Sequence, residues 1–195
     1  MKILKQNNTN IWFIVALEDE FYNKEANIIY TGIGKVNAAM ATQYLLDHFK
    51  VEKLINIGTA GASSKLKKDH IYEIGIFIQR NIWTNDLARK ERNVVKSSTW
   101  NLFDYNTSEK LGIIEYFDAI STGDDFVNDI DNNECKIVDM ESFAIAYVCR
   151  ENNMLDNFYC LKYISDNGCD DDWELGVKKC NKMFNKIYKV LENVF

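Results

Sequence analysis

Ile137-Val138-Asp139-Met140-Glu141-Ser142 passes from a short apolar run into an amphipathic pattern, with a carboxylate at the junction. A buried strand that leads straight into a helix is the repeating unit of α/β proteins, which hold their ligands just beyond the carboxyl ends of the strands. An acid placed there accepts hydrogen bonds from a sugar or similar polyol, and this makes Glu141 the first candidate for function. An acid in the first turn of a helix also simply complements the macrodipole, and the stretch alone leaves both readings open.

The same alternation recurs outward from this stretch. Apolar, β-branched-rich runs at residues 11–17, 27–30, 53–57, 71–78, 113–120, 136–138 and 158–164 read as strands, several too uniformly apolar to be half exposed. Helical spacing appears at Val36, Met40, Tyr44 and Phe49, at Phe143 and Tyr147, and at Val177, Cys180, Phe184, Ile187, Leu191 and Val194. The last series predicts a C-terminal helix packed on the sheet. Alternating strands and helices predict an α/β sandwich round a mostly parallel sheet, made mixed by the strands between 53 and 120, which have little helix between them. Residues 80–110 are polar, charged and aromatic by turns and read as a long loop or lid. No repeat or linker divides the chain, so 1–195 is expected to be a single domain.

With 195 residues, 47% of them hydrophobic and 27% charged, the chain is long enough to bury a full core. A net charge of −6 without a Lys/Arg stripe argues against nucleic acid or an anionic membrane as partner, since either needs a positive footprint. A small neutral or cationic ligand suits the balance better. The cysteines, Cys135, Cys149, Cys160, Cys169 and Cys180, are odd in number and form no C-x-x-C pair. They read as inert reduced thiols rather than a zinc cage or a disulfide framework. Residues 1–10 lack the features of a secretory signal and no apolar run reaches the length of a membrane span, so a soluble, cytoplasmic protein is expected.

Only two histidines exist, His48 and His70, and neither belongs to a motif with a nucleophilic Ser or Cys, so acid–base chemistry falls to carboxylates. Three candidates stand directly after predicted strands: Glu18-Asp19-Glu20, Glu141 and Asp166. Strand ends of one parallel sheet converge on one crevice, so these distant residues are expected to meet. Gly32-Ile33-Gly34-Lys35, Gly58-Thr59-Ala60-Gly61-Ala62 and Ser121-Thr122-Gly123-Asp124-Asp125-Phe126-Val127 read as turns where backbone approaches a ligand closely. None matches a dinucleotide fingerprint or a P-loop, and neither a cofactor nor a metal is expected. Phe126 reads either as a ring laid against an aromatic ligand or as a core residue on a short helix.

Taken in order, Ala16-Leu17-Glu18-Asp19-Glu20, Thr31-Gly32-Ile33-Gly34-Lys35-Val36-Asn37-Ala38-Ala39, Asn56-Ile57-Gly58-Thr59-Ala60-Gly61, the stretch from Ser121 to Val127, Val138-Asp139-Met140-Glu141 and Ile164-Ser165-Asp166 resemble the purine nucleoside phosphorylase/uridine phosphorylase superfamily. Within it they look most like the 5′-methylthioadenosine/S-adenosylhomocysteine nucleosidases. The resemblance covers Ala16 to Asp166 and lapses between about Arg80 and Lys110, where this chain is shorter than the family. It implies a three-layer α/β/α sandwich with a central mixed, mostly parallel sheet, assembled as a homodimer. It also implies cleavage of the bond between ribose C1′ and adenine N9 of a small-molecule nucleoside by water.

By the same resemblance Asp166 is the general acid toward adenine N7, oriented by Ser165, and Glu20 positions and deprotonates the water. Glu141 grips the ribose hydroxyls, and Thr59 and Lys162 help order the water. Met140 and Phe126 contact sugar and base, Val127 and the Ala60-Gly61 backbone surround the purine, and Leu17, Ile33 and Trp173 enclose the 5′ substituent. The chain departs from the family pattern in carrying Thr59 for a Ser, Lys162 for an Arg and Asn81 for an Asp. Glu18, Asp19 and Glu20 stand where a phosphorylase needs Gly and Arg, and three acids repel a phosphate dianion, which favours hydrolysis; Lys35 does not by itself make a phosphate pocket. The competing readings are a phosphate-dependent purine nucleoside phosphorylase and a non-catalytic nucleoside-binding homologue.

Overall fold

The computed structural model describes residues 1–80, 94–96, 113–115, 119–133, 135–168 and 170–194. In chain order these form β1 (Lys2–Leu4), β2 (Ile11–Val15), β3 (Ile28–Tyr30), α1 (Lys35–His48), β4 (Lys53–Ala62), β5 (Ile71–Glu73), β6 (Ile76–Gln79), β7 (Val94–Lys96), β8 (Ile113–Glu115), β9 (Ala119–Thr122), β10 (Ile137–Asp139), α2 (Ser142–Glu151), β11 (Phe158–Asp166) and α3 (Asp170–Val194). β4 is the axis of the sheet. One of its edges runs parallel to β11 from Leu54 to Gly61. The other edge is shared, with β2 parallel to residues 53–56 and β10 antiparallel to Gly61 and Ala62. Outward from these, β2 is followed by β3 and β1, β10 by β9, β6 and β7, and β11 by β5 and β8. The sheet is mixed and mostly parallel, with antiparallel strands at the β1 and β7 edges.

Alternate residues of the central strands enter separate cores, which explains their unbroken apolar character. Trp12, Ile14, Leu54, Cys160 and Ile164 pack with Ala38, Ala41 and Leu45 of α1 and with Phe143, Ala144, Ile145 and Cys149 of α2. Phe13, Val15, Ile55, Ile57, Leu161 and Tyr163 pack on the other face with Cys180, Phe184, Ile187, Tyr188 and Leu191 of α3. This is the expected three-layer α/β/α sandwich. Phe184, Ile187 and Leu191 are almost fully buried, each contributing about 1.5–3 kcal/mol of hydrophobic stabilisation. Among the described residues no helix is long and apolar enough to cross a membrane.

Four expectations are corrected. Residues 58–62 are not a turn; they continue β4. Their glycines serve close approach rather than a change of direction: a Cβ at Gly58 would lie 3.3 Å from Glu20 Oε1 and Lys162 Nζ, and one at Gly61 would lie 3.1 Å from Asp166 Oδ1 and 2.8 Å from Ile130 Cδ1. The run at 71–78 splits at Ile74-Gly75, because β5 ladders with β11 and β8 while β6 ladders with β9 and β7. The run at 113–120 divides likewise into β8 and β9. The C-terminal helix expected from its apolar series is present as α3; it starts at Asp170, and Trp173 and Glu174 near that start line the cavity. Within the predicted loop, Val94–Lys96 is strand β7, while Asn81 and most of that segment lie outside the described residues.

Candidate active site

The carboxyl ends of β2, β4, β9, β10 and β11 meet the starts of α1 and α3 round a cavity of about 400 Å³. Its wall is formed by Ala16, Leu17 and Glu20 after β2, Ile33 before α1, Thr59, Ala60 and Gly61 of β4, and Asp125, Phe126, Val127 and Ile130 after β9. Val138, Asp139, Met140 and Glu141 at the β10–α2 junction, Asp166 of β11, and Arg80, Trp173 and Glu174 complete it.

Glu20 is buried and folded back over its own turn. Its Oε2 accepts the Leu17 N–H at 3.0 Å, and its Oε1 accepts both the Thr59 N–H at 2.8 Å and the Thr59 hydroxyl at 2.7 Å. The Trp173 indole N–H donates to that same hydroxyl at 3.2 Å. Asp166 is also buried, its Oδ2 accepting the Ser165 hydroxyl at 2.7 Å and its Oδ1 the Gly168 N–H at 2.8 Å. The β11–β4 register shifts between Ile164 and Asp166, leaving Ser165 as the extra residue. Such a bulge re-aims the side chain that follows, here the carboxylate at the end of β11.

Asp139 and Glu141 stand two residues apart and are treated in opposite ways. Burial alone would push Asp139 up, but Lys162 Nζ at 3.1 Å and hydrogen bonds from Ser142 and Thr122 hold it below the usual carboxylate range. Burial pushes Glu141 up to about 8, reinforced by the neighbouring Asp139 and Glu20 charges and opposed by Lys162 and by the Gly34 N–H, which reaches Glu141 Oε1 at 2.8 Å. Gly34 delivers that N–H from a left-handed backbone (φ 97°) at the start of α1, a conformation glycine adopts without strain. Burial also disfavours the Lys162 cation, yet Asp139 and the nearby carboxylates outweigh it and keep the ammonium charged. The floor of the cavity is therefore an ionised pair, Asp139 with Lys162, beside a Glu141 whose carboxyl burial pushes up to about 8.

The mouth differs. Ile33 and Phe126 are about half exposed, and Arg80 is held by Asp125, Nη2 donating to its Oδ1 at 3.0 Å and its carbonyl at 2.8 Å, while Nη1 donates to the Ser121 carbonyl at 3.2 Å. Phe126 at 44% exposure is no core residue, so the short-helix alternative is dropped.

Of the residues singled out from sequence, Leu17, Glu20, Ile33, Thr59, Ala60, Gly61, Phe126, Val127, Met140, Glu141, Asp166 and Trp173 line this one cavity. Lys162 and Ser165 stand behind the wall, the former bound to Asp139 and the latter to Asp166. Asp139, Arg80, Asp125, Ile130 and Glu174 line the cavity without having been foreseen. A signal for Asp139 was present: a lysine inside the apolar run 158–164 requires a buried acid opposite it, because an unpaired ammonium is not tolerated in a core. Cys135, Cys149, Cys160 and Cys180 are buried, and burial raises Cys149, Cys160 and Cys180 above the ordinary thiol value.

Residues 16–71 match the model of the phosphorylase superfamily. The chain is 29% identical to a 5′-methylthioadenosine/S-adenosylhomocysteine nucleosidase of Bacillus licheniformis, across 84% of this chain and 78% of that one. The chain shares its fold with the 5′-methylthioadenosine/S-adenosylhomocysteine nucleosidase of Helicobacter pylori solved with butyl-thio-DADMe-Immucillin-A, at a TM-score of 0.77 and 20% identity over 95% of this chain and 98% of that one. It shares it equally with the futalosine hydrolase of Helicobacter pylori strain 26695, at a TM-score of 0.77 and 20% identity over 95% and 97%. The matched stretch 16–71 carries Glu20, the turn before α1 and Thr59-Ala60-Gly61; the sheet brings Glu141 and Asp166 to them from the other half of the chain.

Proposed function

We propose that this protein hydrolyses the N-glycosidic bond of 5′-methylthioadenosine, S-adenosylhomocysteine or a related 5′-modified adenosine, releasing adenine. The observation that carries the reading is the gathering of Glu20, Glu141 and Asp166 round one cavity, large enough for a nucleoside and walled mainly by apolar groups. Departure of adenine leaves an oxocarbenium-like sugar, so three tasks arise: protonate the base, hold the ribose and activate water. Asp166 delivers a proton to N7 as the C1′–N9 electron pair moves to the base. Glu20 takes a proton from the water whose oxygen bonds to C1′. Glu141 grips the ribose hydroxyls; positive charge growing at C1′ opposes the raised value that burial gives it and favours its carboxylate form. Lys162 acts from behind, by fixing Asp139. Met140 and Phe126 meet sugar and base, and Leu17, Ile33 and Trp173 meet the 5′ group.

Water rather than phosphate is the favoured nucleophile. Among the described residues lining the cavity, Arg80 is the only Lys or Arg, and its guanidinium is engaged by Asp125 and Ser121. Among those residues a dianion would meet acids with no cation free to answer it. Assembly as a homodimer is supported by α1, whose Val36, Met40 and Tyr44 continue from Ile33 as an exposed apolar stripe beside the cavity mouth. The buried thiols of Cys149, Cys160 and Cys180 suit the reducing cytoplasm, where we place the protein. Incubation with 5′-methylthioadenosine, S-adenosylhomocysteine, adenosine and inosine, with and without phosphate, tests the reading. Phosphate-independent adenine release from the thioadenosines is expected; strict phosphate dependence would select a phosphorylase, and binding without turnover a non-catalytic homologue.

A further inference from the structure

Trp173 lies near the start of α3, and the N–H of its ring is turned to the Thr59 hydroxyl beside Glu20. An indole N–H only donates and an ionised carboxylate only accepts. With Trp173 Nε1 at 3.2 Å and Glu20 Oε1 at 2.7 Å from the Thr59 hydroxyl, the single hydroxyl proton goes to Glu20 and one lone pair goes to the indole. Glu20 Oε1 is then doubly occupied, by the Thr59 hydroxyl and the Thr59 N–H, while among the described residues Oε2 takes only the Leu17 N–H. Two acceptor positions remain open in this corner, one on Thr59 Oγ1 and one on Glu20 Oε2. A water seated between them donates both hydrogens and turns its own lone pairs outward, the orientation nucleophilic attack requires. Remove the indole N–H and the hydroxyl is free to rotate and donate to the water, tying up the lone pair that must reach carbon.

We propose that Trp173 is a positioning residue for the hydrolysis described above, and so rests on that reading: its N–H directs the Thr59 proton to Glu20 and thereby sets the orientation of the attacking water. An aromatic ring that merely covered the 5′ substituent would need no N–H, and Phe would serve as well. The test follows adenine release from 5′-methylthioadenosine by the wild type, Trp173→Phe, Thr59→Ala and the double variant. Trp173→Phe is expected to lower kcat about tenfold while leaving KM within about twofold, the scale of one lost hydrogen bond. In the Thr59→Ala background the same change is expected to cost less than about twofold, because coupled residues lose additivity. Equal losses in both backgrounds, or a change confined to KM, would reduce Trp173 to a cover and overturn the proposal. Should Trp173→Phe melt early, the benzothienyl analogue of tryptophan at position 173, which keeps the ring shape and lacks the N–H, is expected to show the same loss of kcat; full kcat in that protein would overturn it. A wild type that releases adenine from no 5′-modified adenosine would remove the nucleosidase reading itself, and the proposal with it.

Discussion

Beneath the cavity, Asp139, Lys162, Ser142 and Thr122 are buried and bonded to one another, whereas at its mouth Ile33, Phe126 and Glu174 face solvent with few polar partners. The floor is an electrostatic device: its ion pair and hydrogen bonds hold Asp139 below the usual carboxylate range, while burial, with the Asp139 charge beside it, pushes Glu141 up to about 8. The mouth is a shape device, made of rings and aliphatic groups that exclude water and discriminate by fit. Damage to the floor is therefore expected to appear in stability and kcat, and damage to the mouth in KM.

The sharpest test of that division lies between the two, at Asp166. Replacing it with Asn preserves the size of the side chain but removes the carboxyl that delivers a proton, and kcat is expected to fall by about 10²–10⁴-fold with the thermal midpoint little changed. Turnover at the wild-type rate would refute its role as acid. On the floor, Lys162→Met leaves Asp139 buried without its cation, and a loss of about 3–5 kcal/mol in urea-unfolding stability is expected. Adding Asp139→Asn to that variant is expected to restore much of the loss; a double variant no better than the single would show that the pair is not the unit.

A smaller effect separates Glu141 from its neighbour by pH. A group raised in the folded state binds more protons there than when unfolded, so its stabilising contribution is complete below its ordinary value near 4.5 and is lost as pH rises through about 8. Asp139 has the opposite sign, its contribution being present above 3.8 and lost as pH falls through its depressed folded value. Chemical unfolding of Glu141→Gln between pH 5 and 8 is expected to be flatter than that of the wild type, by at most about 1.4 kcal/mol per pH unit. Superimposable profiles would mean that Glu141 is already ionised in the empty cavity. Smallest in free energy is the mouth: Phe126→Ala is expected to raise KM for 5′-methylthioadenosine up to about tenfold, the worth of one aromatic contact, with kcat within a few-fold. A fall in kcat alone would move Phe126 from the mouth to the floor.

Much of this was legible from the chain. Uniformly apolar runs such as 158–164 announced strands covered on both sides, the spacing from Phe184 to Leu191 announced the helix that covers one of those sides, and acids placed just after strand runs marked the cavity at Glu20, Glu141 and Asp166. These signals are local, since burial period and the strand-to-helix transition are written in consecutive residues. Gly58 to Ala62 misled because glycine signals either a turn or a close approach, and only the carboxylates that crowd Gly58 and Gly61 decide between them.

What sequence alone determined, then, was the alternation of elements, the apolar faces and the positions of the acids relative to strand ends. Tertiary structure alone decided that Lys162 neutralises Asp139 rather than facing the cavity, that the start of α3 brings an indole to Thr59, and that Glu141 is pushed up while its neighbour two residues away is held low. The reason is physical. Periodicity is a property of one segment, but a protonation state is set by burial and by charges within a few ångströms, and those neighbours are supplied by segments that only folding brings together.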